Sequence, residues 1–151
     1  MSENELLVSK IENGIVIDHI PADKLFTVIS ILGLDHITNQ ITFGTNLESQ
    51  KLGRKAIIKI ADKFFKESDI NKIALTAPTA KLNIIRDYEV VDKWHVALPE
   101  EITGIARCMN PKCITNNDNV LTRFSVLTSP RISLRCHYCE KITDQEHFEI
   151  V

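Results

Sequence analysis

Four cysteines, all in the last third of the chain, constrain it more than any other feature. They read Cys108-x4-Cys113, then 22 residues, then Cys136-x2-Cys139, and no cysteine precedes them. Each pair spans a tight turn, Met109-Asn110-Pro111-Lys112 in the first and His137-Tyr138 in the second. Two such turns can present four thiolates at the corners of a tetrahedron, each about 2.3 Å from a central zinc ion. Two disulfides are the rival reading, but nothing in the sequence points to an oxidising compartment, and reduced thiols are the rule in the cytosol. Thioredoxin-like redox chemistry is weaker, since its Cys-x-x-Cys opens a helix after a strand. Here the flanks Ile132-Ser133-Leu134-Arg135 and Lys141-Ile142-Thr143 read as the arms of a hairpin.

Four cysteines close the coordination shell, whereas a catalytic zinc keeps one position for water. The expectation is therefore one structural Zn(2+) per chain. Four thiolates on a divalent ion leave a charge of about -2, which needs backbone N–H groups or nearby cations. Lys112, Arg135 and Lys141 stand next to the ligands in sequence, either as that compensation or as ordinary solvated surface. A segment of roughly 50 residues buries too little apolar surface to be secure alone, so metal binding is expected to supply much of its folding free energy.

The residues before the cysteines suggest a separate domain. Gly14-Ile15-Val16-Ile17-Asp18 reads as a β-branched strand. Pro21 suits a first helical position, and Leu25, Phe26, Val28, Ile29 and Leu32 recur at helical spacing up to Gly33. Ile41-Thr42-Phe43 and Arg54 to Ile60 read as strands. Ser68 is placed to cap a helix carrying Ile70, Ile73, Ala74 and Ala77, ended by Pro78. Leu82 to Val91 returns to strand. The order β-α-β-β-α-β is the split ferredoxin-like pattern, with both helices on one face of an antiparallel sheet. The chain as a whole is then α+β: residues 1–98 form this domain and 99–151 a small zinc-bound antiparallel β domain. Asp92 to Pro99 reads as the connection, with Trp94 either packed between the domains or exposed at a contact with another chain.

Function is less constrained. Hydrophobic residues make up 44% of the chain and charged residues 25%, with a formal net charge of -2. That mixture argues against a nucleic-acid-binding protein, which needs clustered Lys and Arg. The segment Met1 to Leu7 is acidic and polar rather than basic then apolar, so no secretory signal is expected. The longest apolar stretch, Leu25 to Leu34, is too short for a membrane span. A cytoplasmic protein without membrane association is the expectation. Asp18, His19, Lys55, Lys59, Asn83 and Lys93 lie in the strands or at their ends. Together they would suit a small anion and a sugar or base edge. Taken singly, each reads more readily as a solvent-facing strand residue than as a ligand. No nucleophile–base pair, phosphate loop or metal triad gives catalysis a foothold.

The whole chain resembles the regulatory chains of aspartate carbamoyltransferase. The resemblance rests on Val16-Ile17-Asp18-His19-Ile20-Pro21, on Gly53-Arg54-Lys55 with Lys59, on Tyr88-Glu89-Val90-Val91 with Lys93, and on the cysteine set ending Cys136-His137-Tyr138-Cys139-Glu140. It implies a non-catalytic subunit with an N-terminal allosteric domain that binds nucleoside triphosphates and a C-terminal zinc domain that contacts the catalytic chain. In that family CTP inhibits and ATP activates carbamoyl transfer to aspartate, the committed step of pyrimidine synthesis, and regulatory homodimers bridge two catalytic trimers. Carried over by residue, Lys59 and Lys93 would face the triphosphate and Asp18 the ribose. Ile11, Val16, His19, Asn83, Ile85, Tyr88 and Val90 would line the base and sugar pocket. The metal ligands would be Cys108, Cys113, Cys136 and Cys139. The stretch Glu48-Ser49-Gln50-Lys51 departs from the family's usual run.

Overall fold

The computed structural model describes residues 10–129 and 131–151, so the reading of Met1 to Leu7 lies outside the described residues. The chain divides into two compact units, residues 1–96 and 97–151. Among the described residues, no helix is long and apolar enough to cross a membrane.

The first unit contains β1 (Gly14–Pro21), α1 (Leu25–Ile31), β2 (Ile41–Ser49), β3 (Gly53–Ala61), α2 (Glu67–Thr76), β4 (Lys81–Arg86) and β5 (Glu89–His95). Its sheet runs β2-β3-β1-β4-β5, and every neighbouring pair is antiparallel. The first four strands with the two helices form the expected split β-α-β-β-α-β pattern. β5 extends it at one edge.

Side chains alternate across the strands. One row joins Ile17 of β1 to Ile58 of β3 and Leu82 of β4, and the next joins Ile15 to Ile60 and Ile84. Ile15, Ile17, Ile58, Ile60 and Leu82 are completely buried, as are Leu25 and Val28 of α1 and Ile73 and Leu75 of α2. Each such side chain contributes about 1.5–3 kcal/mol of hydrophobic stabilisation. The opposite face holds a smaller apolar cluster, Ile11, Val16, Ile57 and Ile85, with Leu47, Ala61 and Val90 packed against it.

Several local expectations need correction. Pro21 is the last residue of β1, in extended conformation, and a 3-10 turn at Ala22–Lys24 separates it from α1. Gly33 does end the helical stretch, in the left-handed conformation at φ 64°. Ser68 lies inside α2. The helix start is closed instead by Asp69, whose carboxylate accepts from the Lys66 N–H at 3.3 Å. The single strand expected from Leu82 to Val91 is a hairpin, and Asp92–His95, expected as a connection, belongs to β5. Its turn places Asp87 and Tyr88 at φ 52° and 66°. Asp is common at the first of these positions, but the second usually takes Gly, where Tyr88 stands instead. The strain is held by contacts from outside the hairpin: the Tyr88 N–H donates to the Glu12 carbonyl at 2.9 Å and the Asp87 N–H to Asn13 Oδ1 at 3.3 Å.

The second unit is a meander of β6 (Glu101–Thr103), β7 (Arg123–Leu127), β8 (Ser133–Cys136) and β9 (Ile142–Asp144), with one short helix, α3 (Ile114–Asn117). β8 and β9 are the hairpin expected around the second cysteine pair. Among the described residues Ile102, Ile105, Ala106, Phe124 and Leu134 are the buried apolar residues beside the cysteines. So few large side chains make a thin core.

Candidate functional site

The second unit folds around its thiols. Cys108 and Cys113 flank a turn ahead of α3, Cys136 ends β8, and Cys139 follows in the turn to β9. Their four sulfur atoms lie within 4.8 Å of one another. Cys108 Sγ is 3.7 Å from Cys139 Sγ, and Cys113 Sγ is 3.7 Å from Cys136 Sγ. A tetrahedron with metal–sulfur bonds of about 2.3 Å has edges of about 3.8 Å, so the donor set fits a metal ion. All four cysteines are free.

The loops are locked from outside. Asn116 Nδ2 donates to the carbonyls of Cys108 and Asn110, both at 2.8 Å, and Asn117 Nδ2 to those of Pro111 and Cys113 at 2.9 and 2.8 Å. Sulfur charge is met by backbone amides: Asn110 toward Cys108, Tyr138 and Cys139 toward Cys136, and Lys141 toward Cys139. The Thr115 hydroxyl donates to Cys113 Sγ at 3.2 Å. Lys112, Arg135 and Lys141 carry exposed side chains. Without a cation the thiols are unequal. Burial, reinforced by the neighbouring cysteines, pushes Cys108 up to about 12. At Cys139 burial acts upward too, but the Lys141 amide and the Asn110 side chain outweigh it and bring the thiol down to about 7. Metal uptake therefore displaces protons from this cluster.

In the first unit the sheet face without helices carries the polar residues. One row runs Lys59–Val16–Asn83–Lys93 across β3, β1, β4 and β5, and the adjacent one runs Asp18–Lys81–His95 across β1, β4 and β5. Above these rows lies a cavity of about 740 Å³. Lys55 Nζ sits 2.8 Å from Asp18 Oδ1, with both side chains only 5% exposed. β1 makes this pair possible by shifting register against β3 between Ile17 and Ile20. His19, at φ 57°, is in that irregular stretch. Its N–H donates to Asp18 Oδ1 at 2.7 Å and its carbonyl accepts from the Thr79 hydroxyl at 2.9 Å. Its ring Nδ1 is buried without a hydrogen-bond partner. Burial lowers the His19 pKa, Asp18 opposes that, and Lys55, Lys81 and Lys51 add to the lowering. Burial is thus what chiefly favours the neutral imidazole.

The sheet unit and the cysteine unit each match a family model. Residues 6–97 match "Aspartate carbamoyltransferase regulatory chain, allosteric domain" and residues 100–149 match the metal binding domain of the same regulatory chain. The regulatory chain of Bacteroides fragilis is 56% identical over 100% of both chains. That of Pyrococcus horikoshii is 51% identical over 94% of this chain and 95% of its own. This chain belongs to the aspartate carbamoyltransferase regulatory chain family. Its relatives are named regulatory rather than catalytic chains, in keeping with a sequence that has no catalytic constellation.

For a regulatory chain the placement of the ten residues singled out from sequence is informative. Asp18, His19, Asn83, Tyr88, Val90 and Lys93 line the cavity. Ile11, Val16 and Ile85 lie in the apolar cluster on the same face. Lys59 shares that face but is only 1% exposed and is not a lining residue. Lys81, Glu89, Trp94 and His95 also line the cavity and were not anticipated. Their signal is the pairing of β4 with β5, which requires recognising the hairpin. Trp94 is 41% exposed, and its indole N–H donates to Asp92 Oδ2 at 2.8 Å.

Proposed function

We propose that this chain is the effector-sensing subunit of aspartate carbamoyltransferase. It binds nucleoside triphosphates on the helix-free face of the first unit, CTP as inhibitor and ATP as activator. It passes the difference to the catalytic chain through a second unit built on one structural zinc ion. The observation that carries this reading is the cavity over a sheet face bearing Lys55, Lys81 and Lys93 beside a buried acid and an apolar cluster. Cations meet phosphate, Asp18 accepts from ribose hydroxyls, and Ile11, Val16, Ile85, Val90 and Tyr88 offer surface to the base. His19 and Asn83 complete the sugar side. Lys93 is the exposed phosphate ligand, and Lys59 supplies charge from beneath.

CTP and ATP share their triphosphate, so the lysines give affinity to both and the base edge must discriminate. Either nucleotide shifts a quaternary equilibrium only as far as it binds one state better. The coupling free energy is typically about 1–3 kcal/mol. We assign residues 1–98 to the allosteric domain and 99–151 to the domain that contacts the catalytic chain. The cytoplasm is the working compartment, and regulatory homodimers bridge two catalytic trimers. Cys108, Cys113, Cys136 and Cys139 would hold the zinc ion, which would supply charge to bind the four thiolates together and take no part in a reaction.

Calorimetric titration of the chain with CTP and ATP tests the pocket. Lys93→Ala should weaken both nucleotides together, and retention of both affinities would remove this face as the site. Co-purification with a carbamoyltransferase activity that responds to CTP and ATP tests the assembly. Recovery of no catalytic chain would overturn it.

A further inference from the structure

β1 loses its regular register against β3 between Ile17 and Ile20, and His19 in that stretch sits at φ 57°. Positive φ is uncommon for a residue other than glycine, and it persists only where the surroundings over-determine it. Two contacts do so here. The His19 N–H donates to Asp18 Oδ1 at 2.7 Å, and the His19 carbonyl accepts from the Thr79 hydroxyl at 2.9 Å, 60 residues away in sequence. Thr79 is itself fixed in a tight turn. The Ala80 N–H donates to the Ala77 carbonyl at 3.0 Å, and the Ala77 N–H donates to the Ile73 carbonyl of α2 at 2.7 Å. Pro78 takes the second position of this turn, which its fixed φ suits. Ala77 and Ala80 are both buried, so the turn cannot shift without disturbing close-packed neighbours. The same turn holds the chain's exit from the unit. The Val96 N–H donates to the Ala80 carbonyl at 3.2 Å, and buried Val96 is the last residue before the second unit begins at Ala97.

We infer that Thr79 is a positioning residue for the effector response: its hydroxyl holds His19 in the left-handed conformation and so links the cavity, through the turn at 77–80, to Val96 where the chain leaves the first unit. The inference rests on the nucleotide reading above, because the occupant of the cavity is what would use the link. His19 lines the cavity; Thr79, Ala80 and Val96 are not among its lining residues. Two backbone states are open to His19. One is left-handed with the carbonyl on Thr79, and the other is the extended state of an ordinary strand residue, with that bond broken. Passing between them swings the ring as well as the carbonyl, so a ligand packed on the ring in one state does not fit the other equally. Such a ligand shifts the balance toward the state it fits and keeps the Thr79 bond closed. Coupling between two places needs an element with two arrangements that both places bias. Here that element is His19, biased from the cavity by the ligand and from the turn by the hydroxyl.

The test is amide hydrogen exchange read by NMR on the full chain, with and without saturating CTP or ATP, in wild type, Thr79→Val and Thr79→Ser. In wild type either nucleotide should slow exchange at Ala80 and Val96 roughly three- to tenfold, the range set by one net hydrogen bond. Thr79→Val removes the donor and keeps the shape. It should weaken both nucleotides by a similar factor in calorimetry, because the competent state of His19 is less populated. At saturation it should cut the slowing at Ala80 and Val96 to less than about twofold. Thr79→Ser keeps the hydroxyl and should restore both properties. A purely structural role would raise exchange in Thr79→Val yet leave the nucleotide-induced slowing at its wild-type factor, and that result overturns the inference. Wild-type slowing that stops at the cavity-lining residues also overturns it, and this measurement decides the matter even if Thr79→Val does not fold. In either case bound nucleotide leaves the nucleotide reading standing. If wild type binds neither nucleotide, both fail.

Discussion

Asp18→Asn examines the buried pair on which the polar face is organised. Lys55 Nζ and Asp18 Oδ1 are 2.8 Å apart and both side chains are 5% exposed. At an effective dielectric constant of about 20, opposite unit charges at that distance attract by roughly 6 kcal/mol. Desolvation of two ions costs several kcal/mol each, so the pair as a whole is near neutral for stability. Removing one partner is different. Asparagine keeps the shape and an oxygen that can accept the His19 N–H, but it leaves the Lys55 charge buried without a counter-ion. Such losses cost about 3–5 kcal/mol. Because Lys55 lines the cavity and water can approach it there, the lower end applies, about 3 kcal/mol.

The assay is urea unfolding followed by tryptophan fluorescence, because Trp94 is the only tryptophan and lies in the first unit. With a urea slope of about 1.5 kcal/mol per molar, the midpoint should fall by about 2 M. The double variant Asp18→Asn, Lys55→Met removes both charges and should recover most of that loss. A single-variant midpoint within about 0.3 M of wild type, or a double variant less stable than the single, would refute the pair as described.

Three further outcomes follow from the geometry. Stripping the metal with a chelator should unfold residues 97–151, visible as new proteolytic cleavage there, while the Trp94 signal and CTP binding persist; simultaneous loss of the Trp94 signal would contradict this. Gly14→Ala should destabilise the first unit by at least about 2 kcal/mol in the same urea assay, since Gly14 has φ 145° and an added Cβ would lie 2.1 Å from the Ile60 carbonyl oxygen. The His19 pKa is lowered in the folded state, chiefly by burial, so the unfolded chain binds the proton more readily. His19's contribution is therefore present above its ordinary pKa of about 6.5 and is lost as pH falls through the lower folded value. His19→Gln should flatten the decline in stability between pH 7 and pH 5, and an unchanged decline would count against the assignment.

The cysteine site was legible because coordination demands particular residue types at short spacing, and sequence displays both. β1 and β3 were legible from runs of isoleucine and valine. The β4–β5 hairpin was not, because its turn uses Asp87 and Tyr88 in left-handed conformations stabilised by Glu12 and Asn13, over 70 residues earlier. Missing that turn hid Lys81 and His95, whose relevance exists only in the cross-strand register. Asp18 and Lys55 were both visible as polar residues in strands. Their pairing across 37 residues depends on the register shift in β1, which composition and periodicity do not encode. The burial of Lys59 likewise emerges only once the face is assembled.

On the proposed reading the two units would use their ligands in opposite ways, and this follows from their cores. Among its described residues the second unit has four large buried apolar side chains apart from its thiols, so a metal held by them would supply much of its folding free energy. The first unit has a full apolar layer between sheet and helices, and that surplus lets its other face bury Asp18, Lys55, Lys59 and Asn83. Buried polar groups are tolerable only when they are satisfied, and His19 Nδ1, buried without a hydrogen bond though 3.4 Å from Asp18 Oδ2, leaves room for a further polar contact on this face. A nucleotide bound there, as proposed, would stabilise the unit by RT ln(1 + [L]/Kd) without having to fold it. A ligand acting on an already folded face can therefore spread its effect over small differences between two assembled states, the 1–3 kcal/mol scale typical of allosteric coupling. An all-or-none folding transition, which is what the proposed metal would control, could not be graded in that way.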